Sequence, residues 1–246
     1  REGAPYVPLN YDLQYRGPVR LREALASSYN VVAVKVLHTI GVEAMTGLAR
    51  RLGISSFDQA DRLGLAVTLG GGEVRLLELA SAYAGLANGG FGVEPVAILR
   101  VEDENGNILI GDRRQRRYDD RMRVLDERVA YLVTDILSDN TARIPSFGEA
   151  SVLALSRPAA VKTGTTTDFR AKSTVGSPPE LVVGVWTGNA DNEPMREVSG
   201  VSGAAPIWHD FVESALKGQP ASEFERPQGL VEVEVCAESG LLPDID

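Results

Sequence analysis

The stretch Ala160-Val161-Lys162-Thr163-Gly164-Thr165-Thr166 constrains this chain more than any other. Its β-branched residues favour extended backbone, because two heavy atoms on Cβ fit a pleated strand better than a helix. Gly164, inside the strand, removes a side chain where another backbone or a ligand must come close. Beside that gap stand the ammonium of Lys162 and the hydroxyls of Thr163, Thr165 and Thr166. An edge strand of this composition can accept an extended peptide as an additional strand and hold its carboxylate. A solvated lysine on an edge strand accounts for the same residues, so the rest of the chain must decide.

Length and charge narrow the choice. The chain has 246 residues, enough for one large domain with a sizeable core. An apolar content of 43% with Gly and Pro spread along the chain marks a globular protein rather than a disordered one. The net charge of −9 argues against nucleic acid as the main partner. The basic run Arg113-Arg114-Gln115-Arg116-Arg117 is followed at once by Asp119-Asp120 and reads as a solvated loop. The single Cys236 rules out an internal disulfide and fits no metal pattern. No apolar stretch reaches the roughly 20 residues needed to span a bilayer, and no signal peptide is legible. The opening Arg1-Glu2-Gly3-Ala4 lacks an initiator Met, and the chain reads as a fragment.

Toward the N-terminus, Pro18 followed by apolar Leu21, Ala24 and Leu25 predicts a short helix. Ser27-Ser28-Tyr29-Asn30 breaks that pattern with residues that prefer turns and caps. Helical spacing resumes through Val31, Val34, Lys35 and Leu37 to Ile40, and Gly41 stops it. Ser28 and Asn30 therefore stand at the connection of two helices. Taken alone, a Ser-x-Asn is an ordinary helix cap.

The order of the two segments changes that reading. Ser28-Tyr29-Asn30 precedes Lys162-Thr163-Gly164, as the second and third signatures do in penicillin-binding proteins and serine β-lactamases. Ala24-Leu25-Ala26-Ser27-Ser28-Tyr29-Asn30-Val31-Val32-Ala33-Val34 resembles the helix–turn–helix that carries Ser-x-Asn in bifunctional, class A penicillin-binding proteins. Leu69-Gly70-Gly71-Gly72-Glu73-Val74, followed by Leu76-Leu77-Glu78-Leu79-Ala80, is similar to the Gly-rich turn and helix of that family. So are Val183-Gly184-Val185-Trp186-Thr187-Gly188-Asn189 and Gly203-Ala204-Ala205-Pro206-Ile207-Trp208. The resemblance runs from about Tyr11 to Pro243 and points to a class A transpeptidase domain truncated on its N-terminal side.

The remaining segments read as scaffold. Glu73 to Ala87 predicts a helix apolar on most faces, hence buried, ended by Asn88-Gly89-Gly90. Gly70-Gly71-Gly72 is no phosphate cradle, since no Gly-Lys-Ser/Thr follows and no Gly-x-Gly-x-x-Gly exists. Val96 to Glu102, Asn105-Gly106 and Ile108 to Ile110 predict a hairpin. Asp126 caps a helix with apolar Val129, Leu132, Val133, Ile136 and Leu137, ended by Ser138-Asp139-Asn140-Thr141. Leu181 to Thr187 suits a central strand pairing antiparallel with the Lys162 strand. Ala205 to Leu216 predicts a helix with Ile207, Trp208, Phe211 and Leu216 on one side, and Leu230 to Cys236 a last strand. His38 and His209 lack a second ligand at metal spacing. Ser214-Ala215-Leu216-Lys217 is the only Ser-x-x-Lys, and it lies after Lys-Thr-Gly at a frayed helix end. The nucleophile's signature comes first in the family, so Ser214 is a decoy.

The resemblance implies an α+β fold of the β-lactamase/transpeptidase type, with a mainly antiparallel central sheet flanked by helices. The transpeptidase domain it implies takes residues 1–228 as its C-terminal part, with 229–246 a C-terminal strand and the start of a following segment. It implies a D,D-transpeptidase that cross-links peptidoglycan stem peptides through a serine acyl-enzyme and is a target of β-lactams. Ser28 would pass a proton to the leaving amine, and Asn30 would bond the substrate amide and orient the catalytic Lys. Lys162 would supply positive potential. Thr163 and Thr165 would bind the terminal carboxylate in a substrate edge completed by Gly164 and Thr166. The Thr165 N–H would form half an oxyanion hole. No cofactor or metal is implied.

The expected partners are stem peptides ending in D-Ala-D-Ala, β-lactams and cell-wall synthesis proteins, with no nucleic acid and membrane contact only through an N-terminal anchor outside the chain. The expected location is the extracytoplasmic face of the bacterial membrane. Without a nucleophile signature the fragment alone should be inactive. Two alternatives stay open: a D-Ala-D-Ala carboxypeptidase or β-lactamase with water as acceptor, and a non-catalytic β-lactam sensor or peptidoglycan-binding module. After Asp168-Phe169-Arg170 the chain departs from the family. An Asp, an aromatic and a Gly-Tyr pair are common there, whereas this chain reads Ala171-Lys172-Ser173-Thr174-Val175-Gly176-Ser177-Pro178-Pro179. The strand is expected to persist with a changed floor and rim to the groove.

Overall fold

Helical spacing at Leu21, Ala24 and Leu25 gives α1 (Leu21–Ala26), and after a tight turn the chain enters α2 (Asn30–Ile40). The structure, a computed structural model, describes residues 7–57, 63–111, 122–166, 170–195, 203–236 and 239–242. The basic run at 113–117 and Asp168-Phe169 lie outside the described residues. Gly41 ends α2 with φ +83°, and the chain turns at once into α3 (Val42–Arg51). A 3₁₀ turn at Leu65–Leu69 leads to the Gly-rich segment and α4 (Leu76–Ala87). This helix starts later than Glu73, and it is not buried all round. Ser81, Ala82 and Gly85 face the interior while Leu77 is 64% exposed.

The expected hairpin forms from β1 (Val101–Glu102) and β2 (Ile108–Ile110), with a first strand shorter than the apolar run suggested. Asp126 caps α5 (Glu127–Ser138) by accepting the Arg128 N–H. The polar Ser138–Thr141 segment does more than end that helix. Asp139 accepts the Ala142 N–H and starts α6 (Asn140–Phe147), which tolerates Pro145 in its interior.

Three antiparallel strands then form one sheet in the order β3 (Ala160–Thr165), β4 (Ala171–Ser177), β5 (Val183–Gly188). The expected pairing of the Leu181–Thr187 run with the Lys162 strand does not occur. β4 pairs with β3 from Ala160–Ser177 to Thr165–Lys172, so β5 pairs with β4 instead. The central strand is thus the polar-looking Ala171–Ser177. Lys172, Thr174 and Ser177 are all buried in it. Among the described residues β3 is an edge strand.

Side chains alternate across a sheet, so paired residues share a face. Lys162, Val175 and Gly184 lie on one face, together with Gly164, Ser173 and Trp186. That face meets α4, since a Cβ on Gly184 would touch Leu76 and Ala80. The other face carries Val161, Gly176 and Val183 and is covered by α7 (Ala204–Ala215). The core between α7 and the sheet gathers Leu153, Ala159, Val161, Ala205, Trp208, Val212 and Leu216. Ile207 and Phe211, expected on the same side as Trp208, point outward at 53% and 55% exposure, because the buried stripe runs through Trp208, Val212 and Leu216. A second core joins Ala49, Ile54, Phe57 and Ala82 in the helical part. Residues 231–236 form no strand: Val231 is 83% exposed and finds no ladder.

Gly176 decides how closely α7 approaches. A Cβ there would sit 2.6 Å from Trp208 and 2.8 Å from Val161. Gly176→Ala should therefore destabilise the fold by about 1–3 kcal/mol through overpacking. Urea denaturation checks this, and an unchanged midpoint would contradict the packing described.

Candidate active site

The turn between α1 and α2 presents Ser28 through an unusual backbone. The Ser28 N–H donates to the Leu25 carbonyl (3.2 Å) and the Tyr29 N–H to the Ala24 carbonyl (2.9 Å), the paired bonds of a Schellman motif closing α1. That motif needs a left-handed residue, usually Gly, yet Ser28 occupies it at φ +62°. For a residue with a Cβ this conformation costs roughly 1–2 kcal/mol. Strain of this kind points to a side chain required at that spot.

The Ser28 hydroxyl meets the edge strand. The Lys162 ammonium donates to Ser28 Oγ at 2.6 Å and to the carbonyl of Thr163 at 2.7 Å, joining residues 134 apart in sequence. Asn30 takes a different partner: its Nδ2 donates to the Leu9 carbonyl at 2.9 Å. That leaves Oδ1 and one amide hydrogen for a ligand. Thr163 and Thr165 lie on the face opposite Lys162 and Gly164, with Thr174 and Lys172 as cross-strand neighbours. The structure therefore does not bring the threonine hydroxyls onto the Lys162 face; the two sets share only the outer edge of β3. The Thr166 N–H bonds inward to Ala171 (3.0 Å), so alternation turns the Thr163 and Thr165 N–H groups to the open edge. Thr166 also binds inward: its Oγ1 accepts the Ala171 N–H at 2.8 Å. A Cβ on Gly164 would come within 2.6 Å of Ser173 Oγ, so the bare glycine leaves that hydroxyl uncovered beside Lys162.

Two features were not legible in the motifs. Gly70, the left-handed end of the 3₁₀ turn, approaches Thr166 closely enough that a Cβ would lie 3.5 Å from its Cα. The Gly-rich segment therefore borders the end of β3. Arg143 of α6 is 1% exposed and bonded to Asn140 Oδ1 (2.5 Å) and to the carbonyls of Leu137 and Leu153. Burial pushes its guanidinium down to about 10. Its helix is polar and carries Pro145, so no core pattern signals it.

Burial, and after it the charge of Arg143, pushes the Lys162 ammonium down to about 8. The site is thus positive and poorly solvated, suited to an anion. It also differs from the solvated edge lysine that strand composition alone allows. Ser214 and Lys217 are both exposed, at the end of α7. The His209 ring lies 3.0 Å from Oδ1 of the neighbouring Asp210. Among the described residues no group of His, Cys, Asp and Glu side chains is placed to hold a metal ion. A depression of about 390 Å³ lined by Arg123, Asp126, Glu127, Arg128 and Gln228 shares no residue with this site. Its charges are already spent on the Arg128–Asp126 and Arg123–Glu127 pairs.

The lowered Lys162 value has a consequence for stability. The unfolded chain holds the proton up to about 10.5 and the folded chain only to about 8, so the burial cost is full below pH 8 and is relieved as pH rises between them. The stability of the parent relative to Lys162→Met should therefore climb from pH 7 to pH 10. Urea titrations at both pH values measure it, and a constant difference would contradict the burial of the charge.

The penicillin-binding protein transpeptidase domain family matches residues 2–193. Penicillin-binding protein 2D of Bacillus subtilis is 36% identical over 246 residues, covering 97% of this chain and 34% of that protein. Penicillin-binding protein 1A of Neisseria lactamica is 33% identical over 230 residues, covering 93% and 28%. The chain thus spans about a third of the length of these relatives. The crystal structure of penicillin-binding protein 1A from Haemophilus influenzae superposes with TM-score 0.81 at 26% identity, over 100% of this chain and 41% of that one. The PonA1 protein of Mycobacterium tuberculosis in complex with penicillin V gives 0.75 at 26%, over 95% and 64%. The α+β architecture is that of the superposed transpeptidase domains, the family model matches more than half of the sequence, and the chain belongs to the penicillin-binding protein transpeptidase domain family.

Proposed function

We propose that this chain supplies the Ser-x-Asn and Lys-Thr-Gly elements of a serine D,D-transpeptidase that cross-links peptidoglycan stem peptides and is acylated by β-lactams. The observation that carries this reading is the 2.6 Å contact between Lys162 and Ser28 at the open edge of β3. The extended substrate runs along that edge as an added strand. Its terminal carboxylate lies near the Lys162 charge and the Thr163 and Thr165 hydroxyls. Gly164 keeps the edge open to it, and Thr166 fixes the end of the strand through its bonds to Ala171.

Chemistry follows from what each group can do. A serine of a Ser-x-x-Lys outside these 246 residues gives its hydroxyl proton to the neighbouring lysine as it attacks the penultimate D-Ala carbonyl, and the oxyanion is held in part by the Thr165 N–H. Such a donor contributes about 3–4 kcal/mol in comparable sites. The C–N bond breaks as Ser28 passes a proton to the departing D-Ala amine. Lys162, held down to about 8, restores that proton through its bond to Ser28. Asn30 bonds the substrate amide. An acceptor amine then attacks the ester carbonyl; it gives up a proton as the C–N bond forms, the C–O bond breaks, and the serine oxygen takes a proton back. By this reading the chain works within a longer protein on the outer face of the bacterial cell membrane, anchored by sequence outside it and alongside other cell-wall synthesis proteins.

The isolated 246-residue chain holds no Ser-x-x-Lys ahead of Ser28, so penicillin should leave its intact mass unchanged. A stoichiometric adduct, above all on Ser214, would overturn the assignment. In the full-length protein, labelling by fluorescent penicillin should fall by about 10²-fold for Lys162→Ala, the scale for truncating one partner of a buried charge pair. Lys162→Arg should recover only part, because a planar fork replaces a compact ammonium. Parental labelling in both variants would make Lys162 scaffold. A transpeptidation assay with acceptor amine separates cross-linking from simple hydrolysis.

A further inference from the structure

The Ser28 turn is held from outside by the loop of residues 9–16 as well as from within its own helices. Asn10 is 6% exposed, and its Oδ1 accepts the Val31 N–H at 3.1 Å. Helix α2 needs that bond. Its N-cap residue is Tyr29, whose side chain makes no capping bond, so the first N–H groups must find acceptors elsewhere. The preceding residue of the loop bonds the turn as well, since the Leu9 carbonyl receives Asn30 Nδ2. Arg16 stacks on the Tyr29 ring at 4.2 Å and is itself paired with Asp12 at 2.5 Å. Asn10 is fixed in turn: its Nδ2 donates to the Gln14 carbonyl at 2.7 Å, and its own carbonyl accepts the Leu13 N–H at 3.0 Å. The loop therefore grips Tyr29, Asn30 and Val31 in succession, directly after the strained Ser28.

We infer that Asn10 is a positioning residue of the acylation site, capping α2 in trans so that Ser28 and Asn30 keep their places opposite Lys162. Asn10 touches neither Ser28 nor Lys162 and acts only through the Val31 N–H and the turn before it. The inference rests on the reading of Ser28 and Lys162 given above, and deepens it. Two atoms of one side chain carry separable duties. Oδ1 caps the helix and sets the turn, whereas Nδ2 ties Asn10 to its own loop. An aspartate keeps the acceptor, in a place where the helix dipole favours a negative charge, and gives up only the Gln14 bond. An alanine loses both.

The test uses the full-length protein and a fluorescent penicillin, with acylation resolved into encounter affinity and acylation rate per folded molecule. Asn10→Ala should slow the acylation rate at least about tenfold, since misplacement by an ångström can cost about 10²-fold. Encounter affinity should stay within about twofold, because Lys162 and the threonines of the β3 edge provide the binding. Asn10→Asp should recover most of the rate. Parental acylation by folded Asn10→Ala, or a rate for Asn10→Asp as low as for Asn10→Ala, would overturn the inference and leave the Ser28 assignment standing. Parental acylation by Ser28→Ala would instead overturn the underlying reading of the site.

Discussion

One hydrogen bond joins the two halves of this structure where it matters: the Lys162 ammonium on the edge of the sheet to the Ser28 hydroxyl between two helices. Each partner is held at a cost. Ser28 adopts a left-handed backbone that Gly would take without strain, and Lys162 is partly withdrawn from water beside the buried Arg143. Neither state is stable in isolation, and each needs a neighbourhood that over-determines it. Ser27 is fixed through its hydroxyl to the Ala142 carbonyl of α6 (3.0 Å), and Tyr29 through its hydroxyl to Glu23 (3.0 Å). With Asn30 on Leu9 and Val31 on Asn10, every residue around Ser28 has its own anchor.

The sheet solves the complementary problem of presenting Lys162 without burying it completely. One face is closed by α7, where Gly176 allows Trp208 to press onto the strands. The other meets α4 at Gly184 and, farther along, leaves Gly164 and Ser173 uncovered. Lys162 shares the covered row with Val175 and Gly184, next to the uncovered row of Gly164 and Ser173. Its amine can leave bulk water while the outer edge of β3 stays open, and a low-dielectric setting strengthens whatever charge it meets there. Arg22, bonded to both Asp135 and Asp139, ties α1 to α5 and to the cap of α6, so the helical side of the contact is also braced.

Much of this was legible because local chemistry and global fold agree. The period of Leu21, Ala24 and Leu25, the Gly41 stop, the Asp126 cap and the Asn105-Gly106 turn each predicted an element that formed. Motif order alone brought Ser28 and Lys162 together across 134 residues. What failed did so where tertiary context overrides pattern. Ala171–Ser177 is polar in sequence yet central in the sheet, because hairpin closure and α7 bury it whatever its side chains prefer. The more apolar Leu181–Thr187 run suits a place beside β3, and topology puts it one strand away. Helix α6 hid behind Pro145 and a polar start, and with it Arg143. Asn10 carried no signal, since capping another segment's helix from a loop leaves no periodicity to read. Leu230–Cys236 alternates like a strand but has no ladder to join.

The central claim is that Ser28 and Lys162 act as one unit in acyl transfer, and a double-mutant cycle tests it most directly. Penicillin acylation rates would be measured for the full-length parent, Ser28→Ala, Lys162→Met and the double variant. If the 2.6 Å bond is the working connection, the double variant should acylate no more slowly than the worse single one, because either change already breaks the relay. Strict additivity, with the two losses multiplying in the double variant, would mean that the residues contribute independently and would contradict the account.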